Sequence, residues 1–206
     1  MTAGCLLRFE LRNWWHAGTG KGVRGHVDAS PVRSPEGLPY LPGRTVRGLV
    51  REALTLTSSL QPELVPAQAP FWFCGRGMGD DDRVAPGRSR YLTEPGHARF
   101  HDATMPREWR RWSARQPEMI EHMYEVLSAT AIAESGLARG QTLRSIEVAP
   151  PLELWARVRI EEPPDWSWRQ ALEWSVPLIR GLGSGRNRGL GRVVVSVHDL
   201  DEGGGT

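Results

Sequence analysis

Residues 5–11 (CLLRFEL) alternate between apolar and polar, with Leu7, Phe9 and Leu11 on one side and Arg8, Glu10 and Arg12 on the other. That period predicts a half-buried strand. Residues 13–42 carry five glycines and four prolines, which excludes a helix and leaves short extended stretches near Val23 and Val32. Over residues 44–56 (RTVRGLVREALTL) the period changes, and Val46, Leu49, Val50, Ala53 and Leu54 fall on one helical face. Thr45 is placed to cap that helix. Gly48 inside it costs about 1 kcal/mol against Ala, so it either permits close packing or is simply tolerated.

Further on, residues 71–73 read as a short aromatic strand or turn, 98–102 as a strand and 119–129 as a weak helix. Residues 140–159 are mostly extended, and Leu152, Leu154, Ala156, Val158 and Ile160 alternate clearly. Residues 167–179 place Trp168, Leu172 and Val176 one helical turn apart, and residues 191–197 form a last strand. The plan is α+β, a mainly antiparallel sheet with helices on one face, and it fits a ferredoxin-like (RRM-like) core. One domain over residues 1–198 is expected, with insertions at about 13–43, 75–97 and 130–147 and an acidic, glycine-rich tail over 199–206.

Composition alters this picture little. The net charge is +2, too small to demand a nucleic-acid partner. Its distribution says more, because acids gather at 80–82, 161–165 and 199–202 while other stretches are strongly basic. Cys5 and Cys74 form no CxxC pair, and the six histidines have no zinc-finger or HExxH spacing. With no leader-like or membrane-length apolar run, a cytoplasmic protein with free thiols and no membrane partner is expected.

The most chemically marked segment is 179–193 (IRGLGSGRNRGLGRV), with five glycines, Arg180, Arg186, Arg188 and Arg192, and no acid. Glycines let backbone N–H groups approach an anion, and guanidinium groups suit phosphates. This loop follows a helix instead of opening one and lacks the Walker lysine, which excludes a mononucleotide site. A tight surface turn with solvated arginines is the plainer reading.

Residues 37–54 (GLPYLPGRTVRGLVREAL), downstream of HAGTG at 16–20, resemble a signature segment of the RAMP superfamily of CRISPR-associated proteins. The terminal GLGSGRNRGLGRV resembles that superfamily's glycine-rich loop. Residues 73–75 with 98–103, and the stretch 130–148, match further landmarks in the expected order. Within the superfamily, residues 25–43 (GHVDASPVRSPEGLPYLPG) are most similar to the Cas7-type backbone subunit of type III complexes.

The resemblance implies copies stacked along a CRISPR RNA guide, with other Cas subunits and a complementary target RNA as partners. It implies a thumb-like β-hairpin around 132–146. Guide contacts would come from His16, Lys21, Arg24, Arg33, Arg44, Arg47, Arg51, Arg139, Arg144, Arg180, Gly183, Gly185, Arg186, Asn187, Arg188 and Arg192. It also implies a loop aspartate, here Asp28, needed for metal-dependent cleavage of target RNA.

A carboxylate at Asp28 can hold a divalent ion such as Mg²⁺ or orient a 2′-hydroxyl, and His26 can move a proton near neutral pH. A solvated loop acid is the plainer role for Asp28. Three function readings remain open: a guide-binding subunit that cleaves target RNA, a non-catalytic structural or capping subunit, and a metal-independent endoribonuclease that processes CRISPR precursor. The third would rely on His16 or His26 with Lys21. The DDD run at 80–82 reads as a solvated tip before it reads as a metal cluster. Trp109, Trp112 and Tyr124 among Arg107, Arg110, Arg111 and Arg115 can stack bases, or can pack on the core or on another subunit. Trp14, Trp15, Trp166 and Trp168 read as core residues.

Overall fold

The computed structural model describes residues 3–18, 28–76, 94–132, 134–137 and 142–200. In chain order the elements are β1 (Ala3–Leu11), α1 (Gly43–Leu60), α2 (Ala69–Cys74), β2 (Ala98–Phe100), α3 (Arg107–Arg115), β3 (Glu125–Ala129), β4 (Arg144–Val148), β5 (Glu153–Ile160), α4 (Trp168–Ser175) and β6 (Val193–His198). The alternation in β1 sends Cys5, Leu7, Phe9 and Leu11 into the core, and each is 3% exposed or less. β1 pairs antiparallel with β5, from Ala3 opposite Ile160 to Glu10 opposite Glu153. On its other edge it pairs antiparallel with β6, and β2 closes the far edge against β5. The strand order is therefore β2-β5-β1-β6. Setting aside α2, α3 and the β3–β4 hairpin leaves strand–helix–strand–strand–helix–strand with the first and third strands adjacent, which is the ferredoxin-like arrangement.

The helical face predicted for α1 is the one that is buried, with Val46, Leu49, Val50, Ala53, Leu54 and Thr57 in the core. It packs beside α4, whose Ala171 and Leu172 are fully buried. Burying each such aliphatic side chain contributes about 1.5–3 kcal/mol. On the opposite sheet face Leu6 is also buried, while Arg8 pairs with Glu153 and lies 5.9 Å from the Trp155 ring centre. Trp15 is fully buried and its indole N–H donates to Pro150 O at 2.9 Å.

Several local expectations are corrected. Residues 71–73 are helical within α2, because Pro70 fits a first helical turn and Gly75, at φ 73°, ends it. Thr45 does not cap α1; the Gly43 N–H instead donates to Asp102 Oδ1 at 2.7 Å, an acid supplied by the segment after β2. The stretch 119–129 splits into short 3₁₀ turns and strand β3. A Cβ on Gly48 would meet nothing within 4 Å, so this glycine serves no close packing among the described residues. Val23, the DDD run and the tail from 201 lie outside the described residues. Among those described, no helix is long and apolar enough to cross a membrane.

Cys5 and Cys74 are both free and buried, and burial pushes each thiol up to about 12. The neutral thiol is thus favoured by the fold. This contribution is whole below the ordinary thiol pKa of about 9 and is lost as pH rises towards 12. A thiol reagent at pH 8 is expected to label neither cysteine in the folded protein and both in denaturant. Labelling of either in the native state at the denatured rate would contradict this burial.

Candidate nucleic-acid interface

The arginine-rich loop after α4 owes its shape to its glycines. Gly183, Gly185, Gly189 and Gly191 all have φ between 67° and 87°, a region that costs other residues strain. Two of them also have no room for a side chain. A Cβ on Gly183 would lie 2.2 Å from His16 O, and one on Gly191 2.0 Å from Leu182 O. The loop is pinned from beneath by the segment that follows β1. Gly191 N–H donates to Trp14 O, and Ser184 N–H to His16 O, each at 2.8 Å. The Asn13 side chain completes the anchor: its Nδ2 donates to Gly189 O, and its Oδ1 accepts from Arg192 N–H at 2.8 Å. With the backbone so held, Arg180, Arg186, Asn187, Arg188 and Arg192 are all exposed.

Helix α1 lies alongside. At 100° per residue its solvent side runs from Arg47 and Arg51 through Arg44 and Gly48 to Glu52. There Arg186 reaches across to Glu52 Oε2 at 3.4 Å. A groove of about 370 Å³ separates the two elements, lined by Leu49, Ala53 and Leu56 from the helix and by Arg180, Gly181 and Asn187 from the loop. Among the described residues no acid lies within ion-pair distance of Arg44, Arg47, Arg180, Arg188 or Arg192. Arg51 is less available, since it packs 5.7 Å from the Phe71 ring centre.

The thumb-like hairpin expected around 132–146 exists with wider bounds, as β3 and β4 pair antiparallel from Glu125 opposite Val148 to Ala129 opposite Arg144. Its strands are mostly exposed, with Val126, Leu127 and Leu143 facing solvent. Arg144 is exposed at the start of β4. Asp28 sits at the hairpin's flank: its N–H donates to Ser145 O at 2.8 Å and its Oδ2 accepts from Ser145 N–H at 2.7 Å. One carboxylate oxygen is thereby committed to holding the hairpin.

Arg33 is likewise engaged, paired with Glu147 at 2.5 Å and lying 3.7 Å from the Tyr124 ring centre. Tyr124 is buried, not a stacking surface; its hydroxyl donates to Gly37 O at 2.6 Å, and burial raises its pKa above the ordinary phenol value. His16, for which packing, facing RNA and sharing in a cut are all open from the sequence, is only 2% exposed, as the packing role requires. Its Nδ1–H donates to Glu147 O at 2.6 Å, so its role is to join the post-β1 segment to the hairpin. Among the described residues no three His, Cys, Asp or Glu side chains converge as a metal-binding group, so Asp28 brings no described donor set with it. Lys21, Arg24, His26 and Arg139 lie outside the described residues.

A family model described as the RAMP superfamily matches residues 8–194, from within the first strand into the last. The chain belongs to the RAMP superfamily. Two solved structures share the fold of this RAMP protein. One is a chain in the cryo-EM structure of type III-B Cmr-beta bound to cognate target RNA, with TM-score 0.65 and 10% identity over 95% of this chain and 97% of that one. The other is a chain in the apo-state cryo-EM structure of type III-B Cmr-beta, with TM-score 0.63 and 10% identity over 94% of this chain and 96% of that one. No curated protein is similar enough in sequence to match.

Asn13 and Asp102 escaped the sequence reading of this RAMP chain. Both are single polar residues whose partners lie 59 or more positions away, and no local pattern marks them. Gly183→Ala and Gly191→Ala are each expected to destabilise the protein by about 1–3 kcal/mol through strain and overlap. Gly48→Ala, on an open helix surface, is expected to stabilise it by roughly 1 kcal/mol. Chemical denaturation checks both, and a neutral Gly183→Ala would contradict the packing on His16. Asp28→Ala is expected to speed hydrogen exchange at the Ser145 amide while leaving the β1 amides protected.

Proposed function

We propose that this RAMP protein is a non-catalytic, RNA-holding backbone or capping subunit of a type III-like CRISPR effector complex. Its glycine loop and α1 would grip the phosphates of a guide RNA without reading sequence. The observation that carries the reading is the loop itself: exposed arginines on a backbone fixed by glycines, with no described acid within reach of Arg180, Arg188 or Arg192. Fixed guanidinium donors suit phosphodiesters and lose little order on binding. The fold shared with chains in two structures of Cmr-beta, one of which is the complex bound to cognate target RNA, supports the same setting. So does the exposed hairpin, since a two-stranded unit with apolar residues in water gains from a partner. Further copies of this chain and other subunits of such a complex are the partners this implies.

A non-catalytic role is preferred because Asp28 is occupied in clamping Ser145 and His16 is enclosed. A cleaving subunit using Asp28 and a divalent ion is the second reading, and it rests on the resemblance of the loop around Asp28.

The test is RNA binding across a salt series. Arg188→Ala is expected to weaken guide binding equally for unrelated sequences and to reduce the slope of log K against log salt by about 0.7, the share of one single-strand phosphate contact. An unchanged slope would remove the loop from the interface. Target cleavage is then followed in guide-loaded complexes with Mg²⁺ or chelator. Held but uncut target is expected, and Mg²⁺-dependent cuts that vanish in Asp28→Ala would replace this reading with a backbone nuclease.

A further inference from the structure

Helix α3 (REWRRWSAR) stands outside the interface described so far. It carries Arg107, Arg110, Arg111 and Arg115 against the single acid Glu108. Trp112 is partly buried and packs on the core, whereas Trp109, one turn earlier, is 45% exposed. Their rings meet edge to face, with centres 5.6 Å apart and planes at 78°. Trp112 thus props Trp109 in a fixed orientation on a shallow shelf lined only by these two rings and Glu108. Nothing described in the chain covers that shelf.

Behind it, Arg110 borders a pocket of about 280 Å³ formed by the 33–40 loop and residues 102–105. The Arg110 Nε–H is buried and has no hydrogen-bond partner among the described residues. Glu36 and Asp102 line the same pocket, and the Ser34 hydroxyl and the Arg110 charge hold the Glu36 carboxyl below its usual range, so Arg110 already faces acids there. The helix is tied to the hairpin root through the 3₁₀ turns that follow it. A Cβ on Gly37 would lie 2.8 Å from Ile120 Cγ2, and Tyr124 bonds to Gly37 O immediately before β3.

We propose that α3 is a second RNA contact, in which an unpaired base stacks on Trp109 while the exposed Arg107, Arg111 and Arg115 of the same helix meet neighbouring phosphates. The occupant is a single strand because a preset aromatic face needs an unstacked base, and because the helix has a fourfold excess of arginine over acid. The inference rests on the reading of the chain as an RNA binder and adds a base contact to a loop that touches only backbone.

Fluorescence anisotropy with the full chain separates these claims. The probes are a labelled oligouridylate and an abasic strand of equal length and charge. Trp109→Ala is expected to weaken oligouridylate binding about 5- to 140-fold, the range of one base–aromatic stack, and to leave the abasic strand unaffected. Trp109→Phe should restore most of the loss. The double variant Arg186→Ala/Arg188→Ala should weaken both strands alike. If Trp109→Ala matches the parent on both strands while the arginine double variant weakens them, α3 is not an RNA contact and the loop reading stands. If the parent binds neither strand, both readings fail. Loss of self-association in Trp109→Ala by sedimentation, with RNA affinity unchanged, would overturn the proposal in favour of a contact with a second copy.

Discussion

The arrangement depends on a five-residue segment after β1 that is hydrogen-bonded along both edges. On one edge, Trp14 O and His16 O accept from Gly191 and Ser184 of the glycine loop. On the other, Trp15 exchanges two bonds with Ala149, at 3.1 and 2.9 Å, and Ala17 O accepts from Val32 N–H. Burial of Trp15 and His16 makes these bonds costly to break, because water cannot replace them without opening the core. The glycine loop and the hairpin root therefore cannot shift independently. The proposed phosphate-holding loop and the projecting hairpin thus keep a fixed separation, which would lower the ordering cost of laying a strand across them.

Charge follows the same division. Arginines that have a structural task are paired: Arg8 with Glu153, Arg33 with Glu147, Arg169 with Glu173 and Asp199. The hydrogen bond and charge of Arg8 hold the Glu153 carboxyl below the usual range. Arg44 and Arg47 on α1, and Arg180, Arg188 and Arg192 on the glycine loop, have no such partner among the described residues. Arg186 is the exception, and its contact with Glu52 is long and exposed, worth little in stability and easily exchanged for a phosphate. The small net charge of the chain thus conceals a surface where positive charge is left unpaired.

Elements with a strict period were legible in the sequence because burial follows the period directly. The inward residues of β1, β5 and α1 are those the alternation or the helical spacing selects. The glycine loop was legible as a tight turn, since glycine adopts its left-handed backbone angles at the least cost. What could not be read was every contact joining remote segments: Asn13 to the loop, Asp102 to the start of α1, Asp28 to Ser145. The aromatic run at 71–73 failed for another reason. Its β propensity was outweighed by a proline suited to a first helical turn and by a left-handed glycine at the end. His16 shows the limit for function, as a histidine beside glycines has the same letters whether it faces RNA or fills the core.

Asp28 meets that limit most sharply. A loop aspartate that cuts RNA must present its carboxylate to a metal or a hydroxyl with little competition. Here one oxygen accepts from an amide at 2.7 Å, and the Asp28 N–H bonds back to the same residue, so the loop and hairpin are stitched at one point. That geometry serves positioning well, because a bond reinforced in both directions resists rotation of the hairpin about its root. Any metal or hydroxyl would have to meet Oδ1, since Oδ2 is held by the Ser145 amide. In this chain the acid that the family resemblance marks for cleavage is built into the support of the surface on which RNA would lie.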